Sequence, residues 1–128
     1  MDLGLKDKVV LCMASAAGLG KGIATEMARE GAKVMICTAE PFKDQLLEAQ
    51  AEIEKETGNR PETFLCDVNK AEDIEALVKH TEETLGDIYA LVNMCPGPKP
   101  GPFVSFDDAA WEGAFEMCLL SYVRTIRA

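Results

Sequence analysis

Apolar and polar segments alternate along the chain in a regular order. Short apolar runs of strand length occur at residues 8–13, 33–38, 62–68 and 87–93. Between them lie segments with apolar residues at helical spacing, and each of these segments ends at a glycine. Strands that alternate with helices are typical of a parallel sheet with helices on both faces. The pattern therefore predicts one α/β domain over residues 1–128.

The first helix begins almost directly after the first strand, at Gly18-Leu19-Gly20. Leu19, Ile23 and Met27 fall at helical spacing with Ala24 and Ala28 beside them, and this pattern predicts the apolar face of the helix. Glycines let the backbone approach a pyrophosphate, and the free N–H groups and dipole at a helix N-terminus favour its negative charge. The segment therefore predicts a dinucleotide site, with a purely structural turn as the alternative.

Two later helices carry candidate capping pairs. Asn69 with Glu72 is predicted to cap the helix that begins near residue 70, and Ser105 with Asp108 to cap a last helix over 106–128. The last helix is apolar on two sides, and its principal face contains Trp111, Phe115, Cys118, Leu119, Tyr122 and Ile126. A helix apolar on two sides needs two partners, and the sheet can cover one. We expect either a fragment of a longer protein or a homo-oligomer formed through this helix.

Composition and charge narrow the classes of partner. The chain has 128 residues, 48% of them hydrophobic, and a formal net charge of -9. An acidic chain is a poor match for nucleic acid or an anionic membrane, because both select clustered Lys and Arg. No apolar stretch reaches the length of a transmembrane helix, and the first residues lack the pattern of a signal peptide. The expected location is the cytoplasm.

The five cysteines show neither a CxxC pair nor an even count. A zinc site or a disulfide framework normally has tighter spacing, so no metal site is predicted. Four of the cysteines lie in or just after predicted strands, where a thiol serves as a small core residue. Cys95, beside the predicted cofactor edge, is the one expected to react first with an alkylating reagent.

These motifs resemble the short-chain dehydrogenases/reductases, and the match covers essentially the entire chain as a divergent, truncated N-terminal half of that family. The family's Thr-Gly-x-x-x-Gly-x-Gly cradle is similar to residues 13–20, with Met13 and Ala14 at its first two positions. Ala14 in place of glycine is expected to narrow the turn only slightly. Asp67-Val68 resembles the family's adenine contact. The resemblance implies a Rossmann-like doubly wound parallel sheet, truncated here to about four strands.

The resemblance also implies a set of cofactor-binding residues at the carboxyl ends of the strands. They are Ala14, Ser15, Ala17, Gly18, Leu19, Gly20, Thr38, Asp67, Val68, Asn93 and Met94. Asn93 keeps the first residue of the family's Asn-Asn-Ala-Gly motif, whereas Met94 departs from it. The implied cofactor is NAD or NADP. NAD is favoured, because residues 15–17 contain no base and Glu40 would repel the additional phosphate of NADP.

The sequence predicts no catalytic residue within residues 1–128. Cys118 stands where the family's helix carries a tetrad asparagine, and the family's serine and Tyr-x-x-x-Lys pair lie beyond residue 128. Tyr89 and Tyr122 lack a lysine four residues later. The resemblance thus implies the NAD(P)-binding part of an oxidoreductase for an alcohol/carbonyl pair, inactive as this chain. The alternatives are a non-catalytic nucleotide-binding or assembly subunit, and an interaction module without a nucleotide.

Overall fold

The computed structural model describes all residues from Met1 to Ala128. The strands are β1 (Val9–Cys12), β2 (Lys33–Thr38), β3 (Glu62–Leu65) and β4 (Ile88–Val92). The helices are α1 (Gly18–Arg29), α2 (Lys43–Thr57), α3 (Ala71–Leu85), α4 (Asp108–Phe115) and α5 (Ser121–Arg127). Short 3-10 turns occur at Glu40–Phe42 and Phe103–Ser105, and a π turn at Glu116–Leu120 joins α4 to α5. None of these helices combines the length and apolar character needed to traverse a bilayer.

The sheet confirms the predicted parallel arrangement. Its strand order is β3-β2-β1-β4, and every neighbouring pair is parallel. Cys12, the last residue of β1, pairs with Ile36 on one side and with Val92 on the other. Because all four strands point the same way, the segments that leave their carboxyl ends meet at one edge of the sheet.

Helices cover both faces of the sheet, as the alternation predicts. On one face, α1 and α2 bury a cluster of eleven residues that includes Ala24, Leu46 and Ile53. On the other face, α3 buries Ile74 and Leu77 in a second cluster of eight residues. Two separate apolar clusters divided by one sheet are the signature of a doubly wound fold.

The buried face of α1 agrees with the prediction except at its first residue. Ala24 and Ala28 are buried, and Met27 packs against the same cluster, whereas Leu19 is 75% exposed. The residues buried along this helix are small ones, among them Gly20. Small side chains allow the helix axis to lie close to the sheet, and that close approach places the start of α1 directly above the end of β1.

Both predicted capping pairs are wrong. Asp107 caps α4, because its Oδ1 accepts a hydrogen bond from the Ala110 N–H at 2.9 Å. The Ser105 hydroxyl is already committed to the carbonyl of Pro102 in the preceding 3-10 turn. At α3 the N-cap is Lys70, which makes no side-chain capping bond, so the Asn69 and Glu72 pair does not form a cap.

The C-terminal helical segment packs on the domain through small polar side chains. It runs from α4 through the π turn to the end of α5, and α5 packs on α3. The buried side chains of α5 are Ser121 and Thr125, whose hydroxyls donate to the carbonyls of Met117 and Ser121. Four residues of the predicted apolar face remain at least half exposed: Trp111, Phe115, Leu119 and Ile126. The sheet therefore does not cover that face.

Candidate functional site

The turn between β1 and α1 has the backbone of a phosphate cradle. Gly18 adopts a left-handed conformation with φ 58°, and so does Ala14 with φ 44°. A Cβ atom added to Gly20 would lie 2.4 Å from the carbonyl oxygen of Ala14, which is too close for any side chain. Ala14 is therefore held in a left-handed conformation that is unfavourable for a residue with a Cβ atom.

No side chain caps the N-terminus of α1. Ala17 at the N-cap makes no side-chain hydrogen bond, and the first turn contains no acidic residue. The α4 helix differs, since Asp107 supplies such an acceptor. The first N–H groups of a helix have no partner within the helix, and its dipole is positive at this end. An anion therefore fits at the start of α1.

Ser15 is fixed entirely within the protein. Its hydroxyl donates to the carbonyl of Cys12 at 2.7 Å and accepts from the N–H of Cys37 at 3.0 Å. Its own N–H donates to the carbonyl of Cys37 at 2.9 Å, and its side chain is fully buried. Ser15 thus joins the turn to the ends of β1 and β2 and holds the cradle in register with the sheet.

Asp67 and Val68 lie where β3 ends. The Oδ1 atom of Asp67 accepts from the N–H of Asn69 at 3.0 Å, and the N–H of Asp67 donates to Oδ2 of Asp73 at 2.9 Å. The N–H of Cys66 donates to the carbonyl of Thr38 at 2.9 Å, which ties this segment to the end of β2. These bonds place the carboxylate of Asp67 at the edge of the sheet beside Thr38.

Two adjoining cavities follow this edge and form one groove. The cradle cavity, of about 790 Å³, is lined by twelve residues: Ala14, Ala16, Ala17, Gly18, Leu19, Gly20, Thr38, Phe42, Gln45, Met94, Cys95 and Pro96. The strand-end cavity, of about 600 Å³, is lined by twelve: Ala14, Cys37, Thr38, Ala39, Phe42, Cys66, Asp67, Val68, Asn69, Pro96, Gly97 and Met117. Four residues belong to both cavities, namely Ala14, Thr38, Phe42 and Pro96.

The groove brings together nine of the eleven predicted cofactor residues. Ser15 lies beneath it, and Asn93 lines neither cavity. The Oδ1 atom of Asn93 is buried, and no group of the chain donates a hydrogen bond to it. A buried acceptor without a donor is costly, so this amide at the end of β4 marks a position that calls for a further polar partner.

Sequence reasoning missed several residues that line the groove, chiefly Phe42, Gln45 and Met117. Phe42 and Gln45 lie just after the end of β2, at the edge where ligands bind in open α/β sheets. Their position in the chain was therefore an available signal. Met117 comes from the π turn, and no local pattern places that turn beside the ends of β2 and β3.

Cys118 and Tyr122 are neighbours of Cys95, and their environment makes both of them weak acids. Burial, together with the nearby Cys95 thiol, raises the pKa of Tyr122. Burial and the same neighbour raise the pKa of Cys118. A tyrosine that donates a proton to a carbonyl oxygen needs a lowered pKa, so the environment of Tyr122 shifts it in the opposite direction.

A family model described as short chain dehydrogenase matches residues 8–128. The chain is 29% identical over 114 residues to 2,3-dihydro-2,3-dihydroxybenzoate dehydrogenase of Bacillus subtilis strain 168, covering 89% of this chain and 42% of the relative. It is 30% identical over 130 residues to 3-ketodihydrosphingosine reductase of Bos taurus, covering 98% of this chain and 39% of the relative. The chain spans about half the length of the curated relatives it matches.

Solved structures show the same fold. L-sorbose reductase from Gluconobacter frateurii, complexed with NADPH and L-sorbose, superposes with a TM-score of 0.90 at 28% identity, covering 99% of this chain and 48% of that one. The F189W variant of actinorhodin polyketide ketoreductase with NADPH superposes with a TM-score of 0.86 at 28% identity, covering 94% of this chain and 45% of that one.

Proposed function

The chain belongs to the short chain dehydrogenase family, and from this membership we propose that residues 1–128 bind the nicotinamide dinucleotide of an oxidoreductase for an alcohol/carbonyl pair. The observation that carries the proposal is the cradle, where an uncapped helix N-terminus and Gly20 open onto a groove along the carboxyl edge of the sheet. When bound, the cofactor supplies the hydride chemistry. The family resemblance and two NADPH-containing relatives support the proposal.

Six of the eleven predicted residues have the following functions in this proposal. Backbone N–H groups of Ala17, Gly18 and Leu19 hold the pyrophosphate at the start of α1. Asp67 and Val68 bind the adenine end in the strand-end cavity. Ser15, whose hydroxyl is used within the protein, has a positioning function in which it holds the turn against β1 and β2.

We favour NAD as the cofactor because of the charges along the groove. No lysine or arginine lines either cavity, and Asp67 is the charged side chain among the lining residues. The 2′-phosphate of NADP would therefore lie near a carboxylate without a cation to neutralise it, which is unfavourable in a partly buried site. The ribose 2′-hydroxyl of NAD is a better match for Thr38 and Asp67 than the 2′-phosphate of NADP is. Tighter binding of NADPH than of NADH would contradict this choice.

We propose that this chain does not reduce a carbonyl on its own. Tyr89 and Tyr122 have no lysine four residues later, and the raised pKa of Tyr122 makes its phenol a weak proton donor. Cys118 cannot reproduce the hydrogen bonds of an amide, since a thiol is a weak donor and a weak acceptor. We also propose the cytoplasm as its location, because none of the five cysteines forms a disulfide.

A second candidate is an assembly subunit that binds a nucleotide without catalysis. It is favoured by the exposed apolar residues along the C-terminal helical segment, from Trp111 through Phe115 and Leu119 to Ile126. Several large apolar side chains exposed along one helical segment suit a homo-oligomer. The mass of the protein isolated from its source cells separates the candidates. A mass near twice 13.9 kDa favours the oxidoreductase, and a mass near 13.9 kDa favours the assembly subunit.

Thermal unfolding with NADH tests the proposed cofactor site. A ligand at one hundred times its Kd stabilises the folded state by about 2.7 kcal/mol, so we expect Tm to rise by several degrees. Gly18→Val should abolish the rise, because a side chain there occupies the open space at the cradle. Gly58→Val is the matched control, since Gly58 also has positive φ and open space but ends α2 away from the groove. No rise for the unmodified chain with millimolar NADH or NADPH contradicts nucleotide binding.

A further inference from the structure

Phe42 is an exposed aromatic residue that the fold does not use. It ends the 3-10 turn after β2, and its N–H donates to the carbonyl of Ala39 at 3.0 Å. This hydrogen bond and the neighbouring Pro41 fix its backbone. Its side chain is 53% exposed and belongs to neither apolar cluster of the domain. A phenylalanine held at a defined position outside the core is available for a ligand.

The position of Phe42 links the two halves of the groove. It lines the cradle cavity together with Gly18 and Gly20, and the strand-end cavity together with Asp67 and Val68. No other aromatic side chain lines either cavity, and no cation does. A flat apolar ring at the junction, with no charge to recognise, suits the face of a planar base and not an additional phosphate.

We propose that Phe42 joins Asp67 and Val68 in recognising the adenine ring, by stacking on its face in the strand-end cavity. The inference rests on the proposed dinucleotide site and adds to it a residue outside the predicted set. Stacking on an aromatic side chain contributes substantially to the binding of each base and needs no hydrogen-bond pattern. The groove provides no lysine or arginine for binding adenosine. Phe42 therefore supplies part of the recognition of adenosine.

Calorimetric titration with NADH measures this contribution. Phe42→Ala should weaken binding roughly tenfold, because a stacked base loses about that much on alanine substitution. Phe42→Tyr, which keeps the ring, should bind within about twofold of the unmodified chain. Phe103→Ala is the matched control, because Phe103 is also exposed but contacts Trp111 and lines neither cavity. This control should leave the Kd unchanged.

A fluorescent variant gives a readout that a merely structural function of Phe42 would not change. In Phe42→Trp, combined with Trp111→Phe to remove the native indole, ADP-ribose should quench the emission as adenine stacks on the new ring. ADP-ribose contains adenine but no nicotinamide. Oxidised nicotinamide mononucleotide, which lacks adenine and does not absorb at the wavelength of tryptophan emission, should not quench it. Binding of ADP-ribose without any change of emission overturns the inference.

The outcomes separate this inference from the proposed function. If the unmodified chain binds NADH and Phe42→Ala binds equally well, the stacking function is wrong and the dinucleotide site stands. If Phe42→Ala and Phe103→Ala weaken binding to the same extent, the effect is not specific to the groove and the inference fails. If the unmodified chain binds no dinucleotide, both the proposed function and this inference are overturned.

Discussion

Gly20 in α1 lies so close to Ala14 in the preceding turn that a Cβ atom at Gly20 would be 2.4 Å from the Ala14 carbonyl oxygen. The neighbouring atoms are backbone, with the Ala14 carbonyl carbon and the Ser15 Cα both at 3.0 Å. Backbone cannot move aside as the end of a flexible side chain can. The contact therefore sets how tightly the turn folds over the start of the helix.

Gly20→Ala should lower the free energy of unfolding by about 1–3 kcal/mol or more, because the added methyl group forces the turn away from α1. The matched variant is Gly22→Ala, two residues later in the same helix, where an added Cβ meets no atom within 4 Å. There the better helix propensity of alanine should raise stability by about 0.5–1 kcal/mol. Urea unfolding of both variants checks the contrast. Equal effects would show that the contact with Ala14 is relaxed in solution.

Ala14→Gly should stabilise the chain by about 0.5–1 kcal/mol. A left-handed conformation costs a residue with a Cβ about 1–2 kcal/mol, and the greater freedom of glycine in the unfolded chain offsets part of this gain. Ala76→Gly, on the exposed side of α3, should instead lose about 1 kcal/mol as an ordinary helix position does. Denaturant midpoints measure both. A loss of stability at position 14 would mean that the strain is absent.

Stability should fall as pH rises from about 9 toward 12. Burial raises the pKa of Cys12 and of Cys37 from 9.0 to about 12, and burial raises that of Cys66 also. Each thiol loses its proton at lower pH in the unfolded chain, so its stabilising contribution is complete below pH 9 and decreases above it. Each thiol can lower the free energy of unfolding by at most about 1.4 kcal/mol per pH unit.

The measurement is urea unfolding between pH 8 and 11 under reducing conditions. Cys12→Ala should make the loss of stability with pH less steep. Val10→Ala, which removes a buried side chain from the same strand without removing a titrating group, should lower stability at every pH and keep the slope. An unchanged slope in Cys12→Ala would show that this thiol ionises equally in both states.

Cys95 should be the first cysteine that iodoacetamide modifies in the folded chain. It is half-buried and lines the cradle cavity, whereas Cys12, Cys37 and Cys66 are buried. The raised pKa of the half-buried Cys118 lowers its thiolate fraction and slows its reaction. Peptide mapping after timed alkylation identifies the order, and NADH should slow the reaction at Cys95. Alkylation of Cys12 before Cys95 would require the sheet to open.

Ala39→Arg should improve NADPH binding relative to NADH by roughly tenfold. Position 39 lines the strand-end cavity beside Thr38, and a guanidinium there can bond to the additional phosphate, which is a strong charge-assisted interaction. Ala39→Gln, a long neutral side chain, is the control for size and should leave the preference for NADH unchanged. Fluorescence titrations with both cofactors give the ratio of Kd values. The same ratio in the arginine and glutamine variants would show that no phosphate reaches this position.

The local pattern of the chain was sufficient for the architecture. Apolar runs and glycine stops predicted four strands and the helices between them, since a strand or a helix forms largely from neighbouring residues. The position of the tight turn before α1 followed from the same reasoning, because Gly18 and Gly20 act within one turn of chain. Parallel strand direction then brought Thr38 and Asp67 to the edge where Gly18 lies.

Only the tertiary structure decided which face of each helix packs against the rest of the protein. Helical spacing grouped Leu19 with Ala24 and Ala28 on one apolar face, yet the two alanines are buried against the sheet and Leu19 is exposed. The C-terminal helical segment likewise packs through Ser121 and Thr125, and its aromatic face stays exposed. The burial of Ser15 and the position of Phe42 in the groove depend on strands and turns more than twenty residues apart in sequence. The periodicity of a sequence shows which face of a helix is apolar. Which faces come into contact depends on the shapes of distant segments once the chain has folded.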